Sequence, residues 1–375
     1  MKILYFTHFS MRGSGYATIA KNIAQELDRR GHDVKVLGIE YRGEEHDFGF
    51  SIIPCSDFRM GINQAQVLAQ TWKYDAIVVG LDLPLQKHVL QALSGRPFPY
   101  VSIFPVESTP VCMSWVAPII EMEGAMCISR FGSEYLSTRR NLEVDFLQVG
   151  VDPIYLDEIS NRDQVRNTLG WSGKYVVLTV AANQERKFLS KGIDIVGKSG
   201  IPDVHYVLVT NEESAVGFDL RDLFTENHPD LSYEIIKSGQ SIERMQEIYQ
   251  ASDVFLLPSK AEGLGLPLLE AMASNLICVG TNCTGIAELL GQERGYLIDV
   301  EYFIQDVFGN GMRYFADSAD GATKLRIIYN TMQGKNGKGM RDQLELIKRN
   351  AKAHVLSRGW DLATDDLENL LEGLA

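Results

Sequence analysis

Two parallel β-sheets, each covered by helices on both faces, are what this sequence predicts: an α/β chain of two domains. Three observations lead there. Short apolar runs bounded like buried strands, such as KILYFT at 2–7, DAIVVGL at 75–81 and KYVVLTVAA at 174–182, alternate with amphipathic stretches of helical period. At 375 residues the chain is longer than one ordinary hydrophobic core organises. The stretch from Pro258 to Leu290 runs from a strand through a glycine loop into a helix, the unit from which sites at the ends of parallel sheets are built.

The elements follow in order. KILYFT is the first strand, and the segment after it supplies a loop, a helix with Ile19, Ile23 and Leu27 on one face, and a second strand at GHDVKV. Gly31 stands where a helix-ending glycine belongs. The loop from Arg12 to Gly15, R-G-S-G, lets a ligand approach a helix N-terminus, although its spacing is not G-x-G-x-x-G. Further strands are expected at 75–81, 99–106 and 124–129. After a boundary near Val151, VRNTLGW reads as a short helix. Strands follow at 174–182, 204–211, 232–239, 252–259 and 275–281, each trailed by a helix-compatible segment. The last segment places Ala363, Leu367, Leu370, Leu371 and Leu374 on one helical face.

Composition removes several classes of function. Hydrophobic residues at 45% with 23% charged residues describe a soluble globular chain rather than a disordered one. No apolar run approaches the roughly 20 residues that span a bilayer, and MKILYF enters a strand without a cleavage pattern, so a cytoplasmic protein with no transmembrane segment is expected. The five cysteines (55, 112, 127, 278 and 283) are scattered and form no C-x-x-C pair, which fits reduced, structural thiols. The formal charge of −13 divides into −2 for residues 1–150 and −11 for the remainder, and so acidic a C-terminal half makes nucleic acid an unlikely partner.

The chemistry gathers between Pro258 and Leu290. Pro267 suits a first helical position, with Gly263 and Gly265 in the loop before it. The free N–H groups of such a turn favour an anion. Glu262 before the glycines and Glu270 in the expected first helical turn are poor phosphate ligands but good acceptors for sugar hydroxyls. Glycines alone would also suit an ordinary strand-to-helix turn.

The longer string E-G-L-G-L-P-L-L-E-A-M-A, preceded by P-S and followed by T-G-x-x-E at Gly285 and Glu288, resembles the donor-site signature of family 4 retaining glycosyltransferases of the GT-B fold. LQVGVDP at 147–153 looks like that family's turn into the interdomain hinge, and GHDVKV like its second-strand entry. The resemblance implies two Rossmann-like domains with parallel sheets facing across a cleft. These would be an acceptor-side domain at 1–150, a nucleotide-sugar donor domain at 151–358, and a C-terminal helix at 359–375 that begins near Trp360 and returns to the first domain. It implies that Arg186 and Lys191, in E-R-K-F-L-S-K-G, take the family's basic positions for a diphosphate. Glu185 stands where the family has glycine, and the position of Lys187 carries no fixed role. By the same resemblance Glu262 lies beside the donor sugar, Gly263, Leu264, Gly265 and Leu266 offer backbone amides, and Glu270 receives the ribose hydroxyls. Gly13 and Gly15 face the diphosphate, and the base packs near Ile236 to Gly239.

A histidine of the family's cleft is replaced here by Pro105, Val106 and Glu107, which makes Glu107, with His8, a candidate contact for acceptor or sugar. There is no D-x-D motif and no cluster with metal-ligand spacing, so metal independence is expected. The implied activity is retaining transfer from a nucleotide-diphosphate sugar, UDP- or GDP-linked, to an acceptor hydroxyl. It would proceed by front-face substitution with Glu262, Arg186 and Lys191 as the catalytic groups and no cofactor. Acceptor and oligomeric state stay open. The rival readings are a nucleotide-sugar epimerase or a phosphorylase of the same architecture, and a nucleotide-sugar-binding protein with weak catalysis.

Overall fold

The computed structural model describes every residue except Arg12, Ala215, Phe308 and Ala375, so Arg12 of the R-G-S-G loop lies outside the described residues. The chain divides into two compact units, one formed by residues 1–150, 307–311 and 358–375 and the other by 151–306 and 312–357.

The first unit opens with β1 (Lys2–His8), α1 (Gly15–Arg29), β2 (Asp33–Ile39), β3 (Ser51–Cys55), α2 (Phe58–Thr71), β4 (Ala76–Gly80), α3 (Leu83–Ala92) and β5 (Tyr100–Phe104). The short α4 (Met113–Val116), β6 (Gly124–Cys127), α5 (Arg130–Arg140) and β7 (Asp145–Phe146) complete its main run. The strands form one parallel sheet in the order β3-β2-β1-β4-β5-β6-β7. Its central strands are buried from end to end, which is why they read as continuous apolar runs rather than alternating ones. Neither β3 nor β7 is visible in the sequence: β3 is an edge strand containing Pro54, and β7 has two residues.

The second unit holds α6 (Arg162–Thr168), β8 (Tyr175–Val180), α7 (Leu189–Gly197), β9 (Val204–Thr210), α8 (Leu220–Asn227), β10 (Ser232–Lys237), α9 (Ile242–Ala251) and β11 (Val254–Leu257). It continues with α10 (Leu266–Ala273), β12 (Ile277–Thr281), α11 (Thr284–Leu290), β13 (Tyr296–Ile298), β14 (Val300–Gln305), β15 (Met312–Ala316), α12 (Ser318–Met332) and α13 (Lys338–Leu356). Its parallel sheet runs β10-β9-β8-β11-β12-β13, over a core that includes Val177, Ile193, Leu208, Leu256 and Val279. The antiparallel pair β14–β15 is a further departure from expectation. Residues 301–305 are exposed on both faces and carry no alternation from which a strand could be read.

The last helix, α14 (Trp360–Leu374), belongs to the first unit. It buries Trp360, Ala363, Thr364, Leu367 and Leu371, and Glu368 bonds both Arg30 (2.6 Å) and His32 (2.7 Å) beyond the end of α1. No helix among the described residues is long and apolar enough to cross a membrane.

Candidate donor site at the carboxyl end of the second sheet

In the second sheet the chain leaves β8 for β9 and β10 on one side and then crosses to β11 on the other. The strand order therefore reverses between β8 and β11, and loops leaving two such strands part to form a crevice. The turn Glu185–Lys187 follows β8, and the loop from Pro258 to Gly265 follows β11. A backbone bond from Lys260 N–H to the Arg186 carbonyl (2.9 Å) joins the two.

Glu262 lies at the centre of this junction and is 4% exposed. Lys187 Nζ donates to both of its oxygens, at 2.7 and 2.8 Å, and Arg186 donates to Oε2 at 3.0 Å and to the Ala261 carbonyl at 2.6 Å. Burial alone would raise the Glu262 carboxyl. The charges of Lys187 and then Arg186 outweigh it and hold the group at about 2. The lysine set aside in the sequence reading is thus the one that grips Glu262. Lys191, third residue of α7, instead keeps a 3.8 Å approach to Glu301 and lies 5.6 Å from the centre of the Phe188 ring. The cause is local: Phe188 takes a left-handed backbone (φ 51°), which ends the turn and starts α7 along a new direction.

Glu185 needs no glycine backbone, since it sits inside the turn while the left-handed residue is Phe188. Its carboxylate receives Lys260 Nζ, which also lies 4.2 Å from the Phe188 ring centre and 4.5 Å from that of Phe315. Lys260 is 4% exposed, so this carboxylate and two rings replace much of the water that its charge gives up.

The glycine loop is pinned from behind. Thr284 Oγ accepts the Glu262 N–H and donates to the Glu262 carbonyl, both at 2.9 Å, and the Gly285 N–H reaches the same carbonyl at 3.1 Å. A Cβ on Gly285 would stand 2.9 Å from Leu264 Cα, so only glycine lets α11 press this closely on the loop. Gly192 is required by packing too, because a Cβ there would meet the Tyr206 hydroxyl at 2.2 Å.

Gly265 adopts φ 99° and caps α10, which starts at Leu266, so Pro267 is its second residue rather than its first. The shift also moves Glu270 out of the first turn; it is the fifth residue of the helix. Gly263, Leu264 and Gly265 are buried, yet among the described residues the amides of Gly263, Leu264, Gly265 and Leu266 donate to no protein acceptor. Buried amides without acceptors are uncommon, and a run of four at a helix start can hold an anion.

Partly buried Glu270 accepts the Tyr249 hydroxyl at 2.7 Å. Loss of water pushes its carboxyl up to about 7; the Tyr249 bond opposes the rise and Asp152 adds to it. Tyr249 lies in a helix whose sequence offered no sign of this contact. The segment expected near a base, Ile236 to Gly239, closes the edge strand β10, with Gly239 at φ 85°.

The remaining candidates belong to the first unit. His8 ends β1 and meets Glu40 at 3.0 Å. Gly13 has φ 89°, with no atom within 4 Å of where a Cβ would stand, and Gly15 is the first residue of α1 behind the capping Ser14. Glu107 follows β5 and is partly buried.

A cavity of about 390 Å³, bordered by Arg162, Ser274, Lys348 and Lys352, opens at the opposite, amino end of β11 and β12 and contains none of the predicted site residues. Among the described residues no group of three His, Cys, Asp or Glu side chains is placed to hold a metal ion.

Residues 173–308 match the family described as Glycosyl transferases group 1. The sulfoquinovosyl transferase of Arabidopsis thaliana is 29% identical over 127 residues, 34% of this chain and 21% of that protein. A phosphatidylinositol N-acetylglucosaminyltransferase subunit of Saccharomyces cerevisiae is 22% identical over 181 residues, 47% of this chain and 39% of that protein. The chain thus matches well under half the length of either relative. Among solved structures, a glycosyltransferase from Rickettsia africae superposes with a TM-score of 0.77 at 13% identity, over 100% of this chain and 98% of its own. An Anabaena protein in complex with UDP and glucose gives 0.73 at 16% identity, with 100% of both chains covered. Residues 173–308 thus carry the match to Glycosyl transferases group 1, within a chain that adopts the GT-B fold.

Proposed function

We propose that the chain is a retaining glycosyltransferase that moves a sugar from a nucleotide-diphosphate sugar to an acceptor hydroxyl. The reading rests above all on the four amides of Gly263 to Leu266 that find no protein acceptor, placed directly after the carboxylate gripped by Arg186 and Lys187. That arrangement offers fixed donors to a leaving diphosphate. Arg186 and Lys191 supply positive charge to the phosphates, which is the basis for proposing that no metal is needed. Glu262 borders the sugar. Glu270 receives the ribose hydroxyls, two of which one carboxylate can accept together. Gly13 and Gly15 of the acceptor-side domain bring backbone to the diphosphate, and His8 and Glu107 are the side chains proposed to meet acceptor or sugar.

The leaving phosphate takes the acceptor proton as the new bond forms on the face that the leaving group departs, so no side-chain nucleophile is involved. The Anabaena neighbour's UDP makes a uridine donor the first to try, with GDP-sugars next. The test is thermal stabilisation by a panel of nucleoside diphosphates and nucleotide sugars with and without chelator, followed by assay of nucleoside diphosphate release. A selective, chelator-insensitive rise in melting temperature together with release of nucleoside diphosphate is expected. Binding followed by an altered but uncleaved nucleotide sugar would point to epimerisation instead. Absence of any shift would overturn the donor-site assignment.

A further inference from the structure

We propose that Lys187 is a positioning residue, whose ammonium holds the Glu262 carboxylate in place beside the unpaired amide run instead of serving the donor phosphates. The proposal rests on the donor-site reading only for its consequence in turnover.

The geometry separates the three cations of this segment. Arg186 donates to Oε2 of Glu262 and to the Ala261 carbonyl, and Lys187 donates to both carboxylate oxygens. Lys191 makes a long approach to the exposed carboxylate of Glu301 and lies 5.6 Å from the Phe188 ring centre, so turning toward an anion would cost it little. The ends of the Lys187–Glu262 contact are both fixed. The Lys187 N–H donates to the Gln184 carbonyl at 3.0 Å, which closes the turn, and the Glu262 backbone is held by Thr284 and Gly285. Both side chains are largely buried, at 16% and 5% exposure, so a Glu262 stripped of Lys187 would be a carboxylate in a dry site that has lost the cation reaching both its oxygens.

The other charged and titratable groups around it cannot take the place of Lys187. Lys260 is engaged by Glu185 between two rings, and the Cys283 thiol, which burial pushes up to about 12, stays neutral. Removing Lys187 therefore leaves burial, which favours the neutral acid, opposed mainly by Arg186. A protonated Glu262 would lose the charge that strengthens its bond to Arg186.

The test is titration of the Glu262 carboxyl by carbon-13 NMR in Lys187→Met and Lys187→Arg protein, with Glu262→Gln used to assign the signal. In Lys187→Met the titration should move up by about one to three pH units. Lys187→Arg should return it close to the original position, and the acid limb of UDP release from UDP-glucose should move in parallel. A folded Lys187→Met protein whose Glu262 titrates as before overturns the proposal. If Lys187→Met proves too unstable to titrate, the double variant Lys187→Met/Glu262→Gln decides: recovery of melting temperature supports a role through Glu262, and equal instability refutes it. Wild-type protein that binds none of the nucleoside diphosphates and nucleotide sugars and releases no nucleoside diphosphate would remove the donor reading while the carboxyl titration still judges Lys187.

Discussion

The two sheets reverse their strand order at equivalent places, between β1 and β4 in the first unit and between β8 and β11 in the second, and they furnish those places very differently. The second crevice is a dense electrostatic assembly: Arg186, Lys187 and Glu262 bonded to one another, with Lys260 and Glu185 paired beside them. The first carries fewer charged contacts among those described, with no atom within 4 Å of where a Cβ on Gly13 would stand, Ser14 capping α1, the Tyr16 hydroxyl donating to Asp82 (2.5 Å) and His8 meeting Glu40 (3.0 Å). One fold can thus carry a preorganised charge site at one reversal point and a more sparsely charged one at the other, as expected when function is grafted onto a scaffold. Substitutions at the two crevices should differ accordingly.

Glu262→Ala gives the largest expected effect. It leaves Arg186 and Lys187 without their shared carboxylate and takes away the group proposed to border the sugar, and turnover should fall about 100- to 1000-fold. An unchanged turnover number would remove Glu262 from the reacting centre. Because Glu262 is held well below the usual carboxylate range, it contributes stability above pH 4.5 that is lost as the pH falls toward 2. Acid melts of wild type and Glu262→Gln should therefore converge as the pH drops through that window.

Next comes Gly285→Ala, which drives a methyl against the loop at Leu264 and Gly263 and should cost about 1–3 kcal/mol in chemical denaturation. Gly13→Ala, its counterpart in the first unit, meets no neighbouring atom and pays only for its left-handed backbone, about 1–2 kcal/mol. A Gly13 variant that lost as much nucleotide affinity as a Glu262 variant would erase the contrast between the crevices.

Glu270 sharpens the comparison through pH. Its carboxyl is raised to about 7, so the folded state favours the protonated form; stability is lost as the pH rises from 4.5 through 7. Glu270→Gln should melt above wild type at pH 8 and level with it near pH 4. If ribose hydroxyls bond to the ionised form, wild-type affinity for a nucleoside diphosphate should weaken as pH falls below 7, and that dependence should vanish in Glu270→Gln. The smallest effect belongs to His8→Ala, which removes a partly exposed pair with Glu40 worth at most about 1 kcal/mol.

How much of this could be read beforehand depended on whether a feature is set by local pattern or by turn geometry. The buried strands β1, β4, β8 and β11 were legible because strands covered on both faces are apolar throughout, and the glycine loop was legible because its spacing belongs to a known signature. The grip of Lys187 on Glu262 was not, because one left-handed residue, Phe188, decides which lysine faces the crevice, and no periodicity marks it. Glu270 was placed one position too early because Pro267 occupies the second helical position as readily as the first. The pairing of β14 with β15 was invisible for the opposite reason, since residues 301–305 of β14 are exposed on both faces.

The most direct measurement of the central claim is an amide NMR titration of the protein with UDP and GDP, following the signals of Gly263, Leu264, Gly265 and Leu266. The account predicts that one nucleoside diphosphate shifts all four, in step with the Arg186 side-chain signal and without added metal. Saturable binding that leaves those four amides unmoved and perturbs the Lys348 and Lys352 region, at the other end of the sheet, would contradict it.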